Sequence, residues 1–360
     1  MEKSMRAPKA SIFSRHRAAL LVLGSQLMAA VLHALARLLE TRSGSQDRVH
    51  PFTILQIRLL VTALGCSAYL AWAKTPDFPL GPPALRPLLA LRAVGGLFGA
   101  CGFYVSISYL SLSEATALNF LAPLGALILT RFLDNGVISL MDGFSCSVAL
   151  AGVVLVLQPR ALFVTISVQE GSGLTSGLPV DPNASLKGTL AGLIGVVGGM
   201  VALSTIHRLG TKTHPLLSVN YFSWLVFAAT TVCSFFVPGV MWPGDLGSWC
   251  LLVLLGIVGF CMEYLLTAGL GSDRSPSATI MIYSQVIWAI LLDWLIWSSH
   301  INLLTVLGCT GVIMSLTTAS LVNQGSQRTE EAAAKFDAEA ELGDIDSELA
   351  DRHALQFSLD

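Results

Sequence analysis

The sequence predicts an all-α polytopic membrane protein with ten transmembrane helices arranged as two inverted five-helix repeats. Three observations lead there. The 360 residues are 53% hydrophobic and only 12% charged, roughly half the charged share of an ordinary soluble domain. The apolar residues fall in runs of about 20, the length a helix needs to cross a hydrocarbon core about 30 Å thick. The two halves also resemble each other with a period of about 160 residues: Gly99 in Leu97-Phe98-Gly99-Ala100-Cys101 matches Gly259 in Ile257-Val258-Gly259-Phe260-Cys261. Ala151-Gly152-Val153-Val154 likewise matches Thr310-Gly311-Val312-Ile313.

The spans are expected at residues 18–38, 51–72, 87–110, 113–133 and 139–158, then 188–207, 216–238, 247–269, 275–297 and 300–322. Continuous runs of this length suit helices rather than barrel strands, because a lipid-exposed strand leaves backbone groups unpaired. Span 1 follows a basic segment, and Ala34-Leu35-Ala36 mimics a signal cleavage site. Its apolar run of about 19 residues is long for a signal core, so it reads as a retained span. Span 2 carries Arg58 and span 3 carries Arg92. Span 4 holds Asn119 and Pro123, four residues apart and hence on one helical face. Span 5 is plainly apolar. Spans 3 and 6 carry Gly95-x-x-x-Gly99, Gly188-x-x-x-Gly192 and Gly195-x-x-x-Gly199, spacings that let helix backbones approach closely. Span 7 holds Asn220 and Tyr221, span 8 Glu263, and span 9 Tyr283, Gln285 and Asp293. Span 10 completes the second set of five.

Five spans per half is an odd number, so the second copy must be inverted in the bilayer. Inverted repeats are a hallmark of secondary transporters, whose sites lie at the repeat interface. The chain divides into a cytoplasmic N-terminus (1–17), a first repeat (18–158), a Gly-, Ser- and Pro-rich non-cytoplasmic linker (159–187), a second repeat (188–322) and an acidic cytoplasmic tail (323–360). Basic residues set the orientation. With the N-terminus inside, eleven Lys and Arg fall in inside segments (Lys3, Arg6, Lys9, Arg15, Arg17, Lys74, Arg86, Arg131, Arg208, Lys212 and Arg274), against Arg42, Arg48, Arg160 and Lys187 outside. The linker carries Asn183-Ala184-Ser185, a candidate glycosylation sequon consistent with an outside loop. The tail holds ten acidic and three basic residues and reads as a solvated extension.

Several runs point to a known family. Arg92-Ala93-Val94-Gly95-Gly96-Leu97-Phe98-Gly99, continuing to Tyr109-Leu110-Ser111-Leu112-Ser113-Glu114-Ala115-Thr116-Ala117 and Pro123, resembles the EamA repeat of the drug/metabolite transporter superfamily. Arg58 in span 2 fits the same pattern. In the second half, Gly256-Ile257-Val258-Gly259, Gln285-Val286-Ile287-Trp288-Ala289 and Leu291-Leu292-Asp293-Trp294 resemble the second repeat of the G-type branch of the solute carrier 35 family. The acid that ends the fourth span in this pattern is Asp134; its counterpart in the second half falls at Ser298-Ser299, without an acid, and Gln285 stands near the place of Pro123. The resemblance implies ten spans, cytoplasmic termini, transport of a small metabolite, and spans 2, 3, 7 and 8 beside a central cavity.

Ionisable residues inside spans each cost a few kcal/mol unless paired or hydrated. Counting rise along straight helices puts Arg92 and Glu263 at similar inner depth, and Arg58, Glu114 and Asp293 at similar outer depth. Arg58, Arg92, Glu263 and Asp293, with Asn119, Tyr283 and Gln285, are the candidate substrate-binding or pathway residues; bland alternatives are snorkelling for the charges and interhelical hydrogen bonds for the neutral groups. Arg37, near the outer end of span 1, reads as a snorkelling residue.

The seven cysteines form no CxxC, and the seven histidines show no metal-ligand spacing on a helix. HExxH, GxSxG and P-loop patterns are missing from the sequence. The sequence therefore predicts neither enzyme, cofactor, metal nor nucleic-acid partner. It predicts a carrier of a small polar metabolite, with two arginines favouring an anion, in the plasma membrane or an endomembrane such as the ER or Golgi. Its partners are the bilayer and a small-molecule substrate, with a homo-oligomer left open, as are exchange, proton coupling and facilitated diffusion. A membrane-embedded enzyme of lipid metabolism and a non-transporting scaffold acting through the tail are the competing readings.

Overall fold

The structure is a computed structural model that describes residues 17–42, 51–107, 109–110, 112–133, 140–157, 182–235, 245–272, 276–298, 303–318 and 321. Asp134, Ser299, most of the 159–187 linker and the acidic tail lie outside the described residues. The described residues form helices and turns, with no strand among them.

In chain order the helices are α1 (Arg17–Arg42), α2 (Pro51–Trp72), α3 (Arg86–Ile107), α4 (Leu112–Asn119), α5 (Leu121–Leu133) and α6 (Leu140–Leu157). They continue as α7 (Pro182–Leu209), α8 (Pro215–Ser234), α9 (Leu246–Ser272), α10 (Pro276–Ile280) and α11 (Gln285–Trp297), then α12 (Leu303–Thr318). Seven stretches are long and apolar enough to cross a membrane: Arg17–Leu39, Thr53–Trp72, Pro83–Ile107, Leu186–Lys212, Pro215–Ser234, Leu246–Ser272 and Ala278–Trp297. They coincide with seven of the ten expected spans. The other three expected spans contain shorter apolar helices, Glu114–Thr130, Gly143–Leu157 and Leu303–Thr318. Helix α7 starts at Pro182, six residues before the expected boundary; proline is favoured in a first turn because its missing N–H has no acceptor there.

The fourth expected span is broken. Helix α4 ends at Asn119, a turn residue follows at Phe120, and α5 begins at Leu121. Pro123 explains the position, since it has no N–H to bond the carbonyl four residues back. The ninth expected span is broken as well, by a 3₁₀ segment over Met281–Ser284. No Pro or Gly stands in that segment. The two breaks touch: the Phe120 and Tyr283 rings stack at 5.8 Å between centroids.

Packing crosses between the halves. Helix α3 lies on α7, and α1 on α9; α3 meets α8, and α2 meets α9; α5 packs on α7, and α11 on α1. Helix α2 pairs with α8, and α6 with α12, where the Ser315 hydroxyl donates to the Ser145 carbonyl. Each buried cluster mixes both halves, for example Phe120, Leu127, Cys146 and Val153 with Tyr283, Val286 and Val312. Helix backbones approach closely at α3–α7 and at α6–α12. A Cβ at Gly102 would lie 2.5 Å from the Gly195 Cα, so no larger residue fits without separating the helices. Large apolar side chains such as Phe132, Phe144, Val197 and Leu295 face outward and exposed, an apolar surface that suits lipid rather than water.

Candidate functional site

Three helices bring charge into the interior. Arg58 comes from α2, Arg92 from α3 and Glu263 from α9. Arg92 Nη2 donates to Glu263 Oε2 at 3.1 Å. Arg58 Nη2 stands 3.8 Å from the other carboxylate oxygen. The side chains are only 4%, 14% and 9% exposed for Arg92, Arg58 and Glu263. Two cations thus share one anion, leaving the cluster one positive charge in excess. Among the described residues, the Nε atoms of both arginines have no hydrogen-bond partner.

The helices make room for these large groups with glycine. A Cβ at Gly259, one turn before Glu263, would sit 2.7 Å from Arg58 Nε. At Gly96, one turn after Arg92, it would sit 2.6 Å from Arg92 Nη1 and from the Phe222 ring. Phe222, from α8, lies under the Arg92 guanidinium at 4.4 Å, a cation–π contact that offsets part of the cost of burying the charge. The Arg92–Glu263 contact agrees with the depths counted along the sequence. The partner of Arg58 does not: depth alone points to Glu114 and Asp293, whereas the structure gives Glu263. Counting rise from helix ends ignores which helices cross, and α2 crosses α9. Glu114 lies in the first turn of α4.

Asp293 is paired elsewhere. Arg37 Nη1 donates to Asp293 Oδ1 at 2.9 Å, with both side chains about half exposed. The Arg37 guanidinium also lies 4.3 Å over the Trp297 ring. The sequence reads Arg37 as a snorkelling residue; instead it ties α1 to α11. Two turns before Asp293, the Gln285 amide donates to His33 Nδ1 at 3.4 Å. His33 is exposed and yet lies within Coulombic range of Arg58. Inspecting histidines for metal-ligand spacing passes over His33. Its position one turn from Arg37, in an otherwise apolar run, is the available signal.

The remaining candidates are placed as follows. Tyr283 is fully buried and donates to the Phe120 carbonyl at 3.1 Å. Asn119 is exposed at the end of α4, beside the helix break. Asn183 falls in the first turn of α7, with its side chain outside the described residues. Asn220 accepts from Ser67 at 2.9 Å, and Tyr221 donates to the Leu80 carbonyl at 2.8 Å; both groups are engaged by the protein itself.

Known proteins share this sequence and shape. The profile of the EamA-like transporter family matches residues 16–158. The chain is 52% identical, over 100% of both chains, to the "Probable transporter vicT" of Bipolaris victoriae. It is 25% identical to the "Solute carrier family 35 member G1" of Mus musculus, over 76% of this chain and 72% of that one. A crystal structure with 18% sequence identity aligns over 85% of this chain and 98% of its own with a TM-score of 0.67, a likeness of fold.

Proposed function

Since the chain belongs to the EamA-like transporter family, and is thereby a multi-pass membrane transporter, we propose that it moves a small polar anion by alternating access between two inverted five-helix repeats. The observation that carries the charge preference is the buried cluster of Arg58, Arg92 and Glu263 with its surplus positive charge. An uncompensated charge in a low-dielectric interior costs several kcal/mol. A monoanionic substrate would neutralise it.

The two contacts of Glu263 suggest how. Its firm bond is to Arg92, which is also held by Phe222. Its contact with Arg58 is 3.8 Å, beyond hydrogen-bond length. Arg58 is therefore the arm that trades the internal carboxylate for a carboxylate or phosphate of the substrate, while Arg92 keeps Glu263 in place. Gln285 supplies a neutral hydrogen-bonding group on the α11 side. Tyr283 and Phe120 serve as the joint at which the two broken spans meet.

Support for the inverted repeat comes from the helix pairings. Exchanging α1 for α7, α2 for α8, α3 for α9, α5 for α11 and α6 for α12 turns the pairing α3–α7 into α9–α1, α3–α8 into α9–α2, and α5–α7 into α11–α1. The α2–α8 pair, the α6–α12 pair and the Phe120–Tyr283 stack map onto themselves. A pseudo-two-fold axis in the membrane plane would produce this pattern. Both termini are then cytoplasmic, with the 159–187 linker and the C-terminal ends of α1 and α11 outside.

The test is flux into proteoliposomes loaded or bathed with matched anionic, neutral and cationic metabolites. Uptake confined to anions, and lost in Arg58→Gln, is the expected result. Equal uptake of neutral compounds by wild type and Arg58→Gln would refute the charge assignment.

A further inference from the structure

The polar residues of α1 and α11 continue the charged cluster along a single seam. Gln26, Ala30, His33 and Arg37 recur on one face of α1 at spacings of four, three and four; Gln285, Ala289, Asp293 and Trp297 recur every four residues on α11. The two faces meet at His33–Gln285 and again at Arg37–Asp293 and Arg37–Trp297. At its inner end the seam comes within Coulombic range of Arg58. At the other end, Arg37 and Asp293 are 49% and 48% exposed.

His33 is the informative residue. A helix that only packed here would bury or omit an imidazole. This one is exposed, although protein lies on several sides of it. Its Nδ1 engages Gln285, while no hydrogen bond to its Nε2 is made among the described residues. It therefore offers a free ring nitrogen to whatever occupies the opening, about one helical turn from Arg37 (roughly 6 Å of rise).

We propose that His33 and Gln285 form a second binding station for a small oxyanion, a carboxylate or phosphate, on its route between the Arg37–Asp293 pair and the Arg58–Glu263–Arg92 cluster. The station rests on the reading of the cluster as the main anion site. An anion leaving Arg58 is met by hydrogen-bond donors from Gln285 and the imidazole, and then by the Arg37 guanidinium once Asp293 releases it. The Arg37–Asp293 contact closes the route on the side of the C-terminal ends of α1 and α11.

The experiment is thiol labelling in proteoliposomes, in a background where the exposed Cys233 and Cys250 are changed to Ser. His33→Cys and Gln285→Cys are treated with a membrane-impermeant thiol reagent, with and without inorganic phosphate or succinate, and their flux is measured alongside. The expected result is reaction at both positions, slowed at least threefold by whichever anion the parent protein carries. Arg37→Gln, which opens the latch, should speed the reaction. His33→Asn keeps a hydrogen-bonding group and should retain more flux than His33→Ala. A parent that carries neither anion nor any other oxyanion refutes the cluster reading and the station with it. A parent that carries an anion, with folded His33→Cys and Gln285→Cys variants that either resist the reagent or react at a rate the anion leaves unchanged, overturns the station alone. If His33→Cys fails to fold, the labelling of Gln285→Cys decides between these outcomes.

Discussion

Tyr283 closes the break of one span onto the break of another: its hydroxyl donates to the Phe120 carbonyl at 3.1 Å and its ring stacks on the Phe120 ring at 5.8 Å. A hydroxyl buried in a bilayer, where water is scarce, needs a partner within the protein. Tyr283→Phe removes that donor and should lower stability by about 1 kcal/mol, the net worth of one hydrogen bond. Tyr283→Ala empties a fully buried site and should cost about 3–5 kcal/mol by analogy with other large aromatic truncations. Thermal unfolding in detergent checks both. A Tyr283→Phe protein of unchanged stability but altered substrate affinity would instead return Tyr283 to the transport pathway.

Gly259 is where the Arg58 side chain lies against α9. Gly259→Ala puts a methyl group 2.7 Å from Nε, too close for any real contact, so the guanidinium must move off the carboxylate. Overpacking costs about 1–3 kcal/mol, and flux should fall more steeply than stability. Gly102→Ala is the contrasting change. It wedges α3 from the α7 backbone, far from charge, and should lower the melting temperature without changing substrate preference among the transported anions.

His214 caps α8 outside the apolar span. Its Nδ1 accepts from the Leu216 N–H at 3.3 Å, and burial holds its pKa below the ordinary 6.5. The neutral ring is the cap; a protonated Nδ1 cannot accept. Because the folded value lies below the unfolded one, the contribution is full above about pH 6.5 and is lost as pH falls through the folded value. Melting temperature should therefore drop on acidification from pH 7. His214→Asn, a cap without a titrating group, should flatten that slope. Identical slopes for both proteins would show that the acid sensitivity originates elsewhere.

The long apolar helices are legible in the sequence because span length is fixed by the bilayer and by apolar composition. The pairing of Arg92 with Glu263 is legible from depth alone. The partner of Arg58 is not, since it depends on α2 crossing α9, a tertiary fact. The break at Phe120 follows from Pro123. The break at Met281–Ser284 has no Pro or Gly to announce it; it becomes visible only through the Phe120 contact. His33 escapes notice because one exposed imidazole in an apolar run has no periodic signature, and its meaning comes from Gln285 across the seam.

The cluster itself makes the sharpest forecast, because its three members are unequal. Glu263→Gln removes the one negative charge and strands two buried cations. That should cost about 3–5 kcal/mol, the penalty for breaking a buried pair, and lower folded yield. Arg92→Gln removes the firm partner and leaves Glu263 with Arg58 at 3.8 Å, so it too should destabilise. Arg58→Gln differs. It leaves Arg92 and Glu263 as a neutral, bonded pair, so stability should hold within about 1 kcal/mol, whereas one lost charged contact to substrate, about 1.5–3 kcal/mol, lowers uptake at least tenfold. The double change Arg58→Gln with Glu263→Gln leaves Arg92 alone and should not rescue folding; Arg92→Gln with Glu263→Gln should rescue part of it, since only Arg58, the most exposed of the three, remains charged. Folded yield and melting temperature of the three singles and two doubles, measured beside anion uptake, decide the matter. Equal destabilisation by Arg58→Gln and Arg92→Gln would mean that both arginines are structural partners of Glu263 and that the substrate binds elsewhere.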